Sequence, residues 1–269
     1  MQAGELYQAG KLSEAIDAQI AVVKSKPADQ SARLFLFELL ALAGELDRAR
    51  RQIDAIEYDE IERETAVQGY RTLLDAEAAR RRLFRDGVSP SFFGDPPEHV
   101  QHRLEAVGQL RENQPRRAAE CLAEADRAAP GVAGTLNGNR FTELRDCDDL
   151  LGTVLEVMAR GGYYWVALEQ IATLAMNAPK YPRDLLWIPA RIDLVDGASG
   201  EVFLPAIYHG SHEDPDEGIK MGRKTDWQQQ DDGTVLGRGA KMYLAGEKSL
   251  ALFEWRELVI DPVAGHEAN

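Results

Sequence analysis

The sequence predicts an α+β chain with two unlike parts: helical repeats first, then a small antiparallel, barrel-like β-rich part. Three observations carry this. Gly10-Lys-Leu-Ser-Glu-Ala15 returns as Gly44-Glu-Leu-Asp-Arg-Ala49, 34 residues on, and more weakly as Asn113-Gln-Pro-Arg-Arg-Ala118. A 34-residue period is that of tetratricopeptide helix pairs. Ala15 and Ala118 are each followed 12 residues later by a proline, Pro27 and Pro130, which ends the unit because proline cannot continue a helix. Beyond Pro179 the pattern changes to short β-forming runs separated by Gly and Asp-Gly clusters, the signature of antiparallel strands and tight turns.

Each repeat has a physical reading. Gly10, Gly44 and Asn113 stand where one helix stops and the next begins, a place that favours residues tolerant of the left-handed conformation. The small Ala early in the second helix lets the two helices approach closely. A pair with so wide an apolar face must stack on neighbours. Between the second and third copies, Asp59–Phe84 reads as a further helix, with Ile61, Ala66, Tyr70, Leu73 and Leu74 near one face. Arg80-Arg81-Arg82 reads as a solvated last turn that suits the helix dipole. Asp148–Arg160 and Tyr163–Ala175, broken by Gly161-Gly162, read as a degenerate fourth helix pair, with Asp146, Asp148 and Asp149 capping its start. The strands are expected at Arg191–Val195, Glu201–Tyr208, Thr234–Leu236, Ala240–Leu244 and Ser249–Ile260. The organisation is then a helical-repeat domain over 1–178, a β-rich domain over 179–262 and a flexible tail over 263–269.

Composition narrows function. The chain has 269 residues, and its 31 basic against 45 acidic side chains give a formal charge of −14. That opposes a main role in gripping nucleic acid or a polybasic membrane anchor. Residues 1–130 are mixed in sign, with 18 basic and 23 acidic side chains, and the rest holds most of the acid surplus. The longest apolar stretch, Leu34 to Gly44, is interrupted by Glu38 and falls far short of the ~20 residues of a membrane span. No basic-then-apolar leader opens the chain. Cys121 and Cys147 match no metal or redox spacing and read as reduced thiols. A cytoplasmic protein is expected.

Catalytic motifs are missing: no GxSxG, HExxH, Walker lysine loop or GxGxxG occurs in context. The glycines of Gly233–Lys241 read as turns between strands. The loop His209-Gly-Ser-His212 with Asp214, Asp216 and Glu217 carries metal-type donors at an unfamiliar spacing and reads as a solvated acidic loop. His99 and His102 read as surface residues. Arg183-Asp184, and Asp226 beside Trp227, read as a buried polar network joining the two parts, since Trp and Arg are common interface anchors.

The ordered motifs resemble the ImpE/SciE/TagJ family of type VI secretion accessory proteins. The stretches are Arg145-Asp-Cys-Asp-Asp-Leu-Leu-Gly-Thr-Val-Leu-Glu-Val157, Gly162-Tyr-Tyr-Trp165, Pro182-Arg-Asp-Leu-Leu-Trp187, Val202-Phe-Leu-Pro205, Tyr208-His-Gly-Ser211, Gly222-Arg-Lys-Thr-Asp-Trp227 and Leu252-Phe-Glu-Trp-Arg-Glu-Leu258. The likeness runs to about Asp261. It implies a non-enzymatic adaptor without cofactor or metal, whose partners are the N-terminal helix of the small sheath subunit and the ClpV-type AAA+ ATPase that recycles contracted sheath. Interdomain motif residues would be Asp146, Asp148, Asp149, Tyr163, Trp165, Arg183, Asp184, Trp187, Thr225, Asp226 and Trp227.

The repeat frame places Leu34, Glu38, Ala41 and Leu42 on the inner face of the stack, with Arg103, Val107, Leu110 and Arg111. That is an apolar floor with charges, suited to an amphipathic helix. Packing between helices is the alternative role for Leu34 and Leu42. Two other functions stay open: a general tetratricopeptide scaffold for another complex, and an enzyme with an interdomain site at Asp146, Asp148, Asp226 and His209.

Overall fold

The computed structural model describes residues 2–57 and 61–262, and residues 61–63 by their backbone only. The tail expected at 263–269, Asp59 and the Ile61 side chain lie outside the described residues. Seven helices come first: α1 (Ala3–Gln8), α2 (Leu12–Ser25), α3 (Gln30–Leu42), α4 (Leu46–Asp54), α5 (Ile61–Asp86), α6 (Glu98–Arg111) and α7 (Pro115–Ala128). Three of the connections repeat one device. Gly10, Gly44 and Asn113 all have positive φ, at 81°, 76° and 56°, and each ends a helix so that the next folds back on it. The alanine five residues later, Ala15, Ala49 or Ala118, is fully buried. The pairs α1–α2, α3–α4 and α6–α7 follow, with α5 alone between the second and third.

Strands begin at residue 134. They are β1 (Gly134–Leu136), β2 (Asn139–Phe141), β3 (Leu144–Asp146), β4 (Val154–Ala159), β5 (Gly162–Ala167), β6 (Ile171–Met176), β7 (Trp187–Leu194) and β8 (Ser199–Pro205). After the short helix α8 (Glu217–Lys220) come β9 (Thr225–Gln229), β10 (Val235–Gly239), β11 (Met242–Ala245), β12 (Lys248–Ala251) and β13 (Glu257–Ile260). Eight strands make one sheet in the order β2-β1-β13-β6-β7-β8-β4-β5. The sheet is open, with edges at β2 and β5, and does not form the expected barrel. The edge of β5 is partly covered: Ser91 bridges it in parallel, its N–H donating to the Tyr163 carbonyl at 2.9 Å while Trp165 N–H donates to the Ser91 carbonyl at 3.1 Å. Such cover blunts an edge that would otherwise pair with another chain.

The expected fourth helix pair over 148–175 is a β-hairpin. β4 and β5 pair in full register from Val154↔Ala167 to Ala159↔Gly162. Arg160 and Gly161, both at positive φ (51° and 76°), form the two-residue turn, the geometry that matches strand twist. Asp148 and Asp149 therefore lie in a turn before β4, and Asp146 ends β3. A boundary near 178 would fall between β6 and β7, which pair along one sheet. The last expected run, Ser249–Ile260, is two strands separated by a turn at Leu252–Glu254, and β1–β3 and β9 lie where no strand was expected.

The sheet divides two cores. One joins the helices to Met158, Tyr163, Trp165 and Trp187. The other, on the opposite face, gathers Leu155, Val157, Val166, Leu258 and Trp255. Alternate residues of β4 and β5 thus enter different cores, as the pleat requires. The C-terminal part also completes the helices. Position Lys11 carries no capping side chain, yet the amides of Leu12 and Ser13 donate to Glu217 of α8 at 2.7 and 2.9 Å. Arg223 donates to the carbonyls of Tyr7 and Gln8 at the end of α1, at 2.7 and 2.9 Å.

Close helix approach at the repeated alanines is testable. Ala49→Leu should lower the unfolding free energy by about 1–3 kcal/mol through overpacking, read by urea denaturation. Ala21→Leu, on the exposed face of α2, should stay within about 0.5 kcal/mol of the parent. Equal effects would count against the close approach.

Candidate functional site

The densest chemistry lies where α5 meets the sheet. Arg80 projects from α5 and Glu156 from β4, and each is at most 2% exposed. The guanidinium holds the carboxylate with two bonds, Nε to Oε1 at 2.6 Å and Nη2 to Oε2 at 2.9 Å, and Nη2 also donates to the Ile207 carbonyl at 2.9 Å. Lys241, between β10 and β11, ion-pairs with the same carboxylate. Tyr163 on β5 donates its hydroxyl to Glu156 Oε1 at 2.5 Å and accepts from Trp165 Nε1 at 2.6 Å. Asp146 lies next to this group, with Oδ2 3.6 Å from the Lys241 ammonium and Oδ1 accepting the Tyr208 hydroxyl at 2.5 Å and the Asp148 amide at 2.9 Å.

Electrostatics follow from this geometry. Burial alone would raise the Glu156 carboxyl, but Arg80 and Lys241 outweigh it and hold Glu156 well below the usual carboxylate range. Asp146, more weakly paired, is raised by burial despite Lys241 and Tyr208. Burial and then the Asp146 charge push Asp148 up to about 7, against backbone amides that pull it back. With every oxygen of Glu156 taken by Arg80, Lys241 or Tyr163, this carboxylate is a clamp and not a free base. Glu156, Lys241 and Tyr208 lie inside stretches read from the sequence but were not singled out there as site residues. The signal was a lone acid inside the apolar run of β4, which requires a buried cation.

The Asp-Cys-Asp-Asp motif acts through turns. Asp148 accepts the Leu150 amide at 2.9 Å and, from β10, the Gly237 amide at 2.7 Å. Asp149 accepts the Val235 amide at 2.7 Å and the Arg145 guanidinium at 2.7 Å. These acids cap turn and strand amides, not a helix. The cysteines are free thiols. Arg183 ion-pairs with Glu38 of α3 and lies over the rings of Tyr70 and Tyr181, 4.7 and 4.1 Å from their centres. Asp184 accepts the Lys180 and Tyr181 amides, and Trp187 lies 6.4 Å from Phe37 between ring centres. Thr225, Asp226 and Trp227 do not join the buried network. Thr225 donates to the Ala240 carbonyl at 2.8 Å, Asp226 is exposed and accepts its neighbour's amide, and Trp227 is 39% exposed with its ring centre 6.0 Å from that of Tyr208.

Other expectations change with the tertiary structure. Arg80 is buried where a solvated turn was expected, and Arg81 is half-buried; of the triplet only Arg82 is exposed. The three residues point to different sides of α5, and one side faces Glu156. His99 is buried, not on the surface, and shares a 2.7 Å contact with Glu169. His209 stacks on Phe84 with 4.1 Å between ring centres, and His212 packs over Gly44. Burial lowers His209 to about 3 and His212 to about 4. Among the described residues no group of three or more His, Cys, Asp or Glu is placed to hold a metal ion.

Of Asp146, Asp148, Asp226 and His209, the residues of the enzyme alternative, only Asp148 and His209 line a common cleft. Asp146 is closed off behind Tyr208, and Asp226 stands apart on β9. Asp148 and His209 share a cleft of about 160 Å³ with Phe84, Leu110, Leu236 and the clamped Glu156 and Tyr208, but both Asp148 oxygens are held by backbone amides.

The expected inner-face lining is also altered. Glu38, Ala41, Leu42, Arg103 and Val107 are buried. Arg103 donates to Asp126 at 2.5 Å and to the Asp149 carbonyl at 2.8 Å. Leu34 and Leu110 are half-buried, and Arg111 is exposed and donates to the Arg85 carbonyl at 3.2 Å. Helical periodicity marks the apolar side of these helices, and the protein's own 183–187 and 148–152 segments cover most of it.

Three comparisons bear on kinship. The family model described as ImpE protein matches residues 138–259. The chain is 36% identical over 262 residues to the type VI secretion system accessory component TagJ of Pseudomonas aeruginosa, covering 97% of this chain and 92% of that protein. The crystal structure of protein VPA1032 from Vibrio parahaemolyticus superposes with a TM-score of 0.89 over 99% of this chain and all of that one, at 24% identity, and so shares the fold. The chain belongs to the ImpE family, which includes TagJ. No helix among the described residues is long and apolar enough to cross a membrane.

Two outcomes test this site. Glu156→Gln strands two buried cations and should destabilise the fold by about 3–5 kcal/mol, measured by urea denaturation; a loss below about 1 kcal/mol would contradict the clamp. His209 is neutral in the fold but takes up a proton near 6.5 when unfolded, so its stability contribution is present above 6.5 and lost as pH falls towards 3. His209→Phe keeps the stack on Phe84. It should therefore show a smaller fall in melting temperature between pH 7 and pH 4 than the parent does. The comparison isolates His209 from Asp148 and Glu38, both raised to about 7, which contribute in the opposite direction.

Proposed function

We propose that the chain is a non-enzymatic accessory component of a type VI secretion apparatus, working in the cytoplasm as an adaptor. Its partners are the N-terminal helix of the small sheath subunit and the ClpV-type AAA+ ATPase, which it links. The observation that carries this reading is the 36% identity to TagJ along nearly the whole of both chains; the likeness includes the helical part as well as the segment matched by the family model. Tetratricopeptide-like helix pairs suit such a role because they present long helical faces to other chains. The Glu156 clamp, whose carboxylate is saturated by its partners, suits a rigid scaffold better than a catalytic centre.

The helix would dock on helical surface that the β-rich part leaves accessible, with Leu34, Leu110 and Arg111 as the remaining members of the predicted lining. A general scaffold for another complex is the second reading, and the same binding experiment separates the two. The immobilised protein should retain the small sheath subunit and lose it when that subunit's first helix is deleted. It should also retain the ATPase more strongly with the sheath subunit present than without. Equal recovery of the helix-deleted subunit would overturn helix docking.

A further inference from the structure

An acidic protein carries a strongly basic groove. It runs between α4 and the last turns of α5, has a volume of about 560 Å³ and is open to solvent. Five arginines line it, Arg48 and Arg51 from α4 and Arg81, Arg82 and Arg85 from α5, against two carboxylates, Glu45 and Asp47. Ala78, Arg82 and Arg85 fall at i, i+4 and i+7, so one strip of α5 faces the groove.

Two features set this groove apart from an ordinary charged face. Arg51 and Arg82 are exposed and have no hydrogen-bonded or ion-paired acid among the described residues. Arg48 and Arg85 are paired only with sequence neighbours, Glu45 and Asp86. Such exposed pairs contribute little and exchange readily for a partner's acids. The groove also contains the start of α4, whose cap residue, Glu45, pairs with the Arg48 side chain and accepts from none of the helix's backbone amides. The first amides of α4 are left as free donors, with the positive end of the helix dipole behind them. Arg81 fixes this end by donating to the Gly44 carbonyl at 2.8 Å.

We propose that this groove is a docking site for a short acidic segment of a partner protein, read by arginine forks and by the amides of α4. A peptide is favoured over a nucleic acid because the chain as a whole carries −14, which repels a long polyanion, whereas a short segment stays within the basic patch. Leu46 and Ala78 add an apolar strip that a peptide can cover. The site is separate from the sheath-helix reading and stands or falls independently of it.

The test is fluorescence anisotropy of the full chain with a labelled glutamate-rich peptide of roughly ten residues at about 50 mM salt. Binding is expected, weakening as salt rises. The double variant Arg51→Glu/Arg82→Glu should lose about tenfold or more in affinity, with its melting temperature unchanged. If that variant is unstable, Arg51→Gln/Arg82→Gln should show the loss in smaller degree. Lys248→Glu, remote on β12 and exposed, should bind as the parent does. The proposal is overturned if the peptide does not bind, if the arginine variants bind it unchanged, or if a single-stranded oligonucleotide of equal charge binds as tightly. It is also overturned if inorganic phosphate displaces the peptide at equimolar concentration, since that would describe a simple anion site.

Discussion

The arrangement of this protein depends on one buried carboxylate. Glu156 sits on a strand with apolar neighbours on both sides, and removing an ion from water costs several kcal/mol even after the surroundings relax. The charge is tolerated only when Arg80 of α5, Lys241 of the β10–β11 connection and Tyr163 of β5 reach it together. These groups come from three parts of the chain. Their simultaneous contact admits one placement of α5 on the sheet and one path for the segment before β11. Apolar packing alone would allow α5 to slide; the forked bond from Arg80 does not.

Smaller interactions of the same kind extend the constraint. Asp148 and Asp149 hold β10 through the Gly237 and Val235 amides. Arg183 joins the 182–185 turn to Glu38 of α3, and Glu217 and Arg223 satisfy the ends of α2 and α1. The β-rich part thus supplies caps and counter-charges that the helices lack. A helix hairpin cut from this context would expose Ala41, Leu42 and Val107, leave Glu38 without Arg183 and strip Arg103 of the Asp149 carbonyl, keeping only Asp126. The two parts are therefore mutually dependent in their polar chemistry as well as in their apolar packing.

The sequence was legible where one residue type answers a local need. Gly10, Gly44 and Asn113 turn the chain by their own backbone preference, so the helix pairs followed from spacing. It was misleading where burial removed periodicity. Val154–Ala159 and Gly162–Ala167 are apolar on both faces because each face meets a separate core, and such a run carries no period-two signal. Tyr163, Tyr164, Trp165 and Val166 are strand formers and were the available hint. Glu38, Ala41, Leu42, Arg103 and Val107 of the expected inner face are buried within the chain, and no pattern in a helix says whether solvent, a partner or the same chain will cover a given side.

By itself the sequence determined the α+β class, the helix breaks, the acid excess and, through ordered motifs, the ImpE family. These are properties of single residues, of near neighbours or of their order. Only the tertiary structure decided which charges pair, which helix faces are covered and where a basic groove remains open. Arg80 and Arg82 stand two positions apart in one triplet; the first lies at Glu156 in the interior and the second faces water. Their fates differ because a helix turns about 100° per residue, and what waits on each side is set by chain segments far away in sequence.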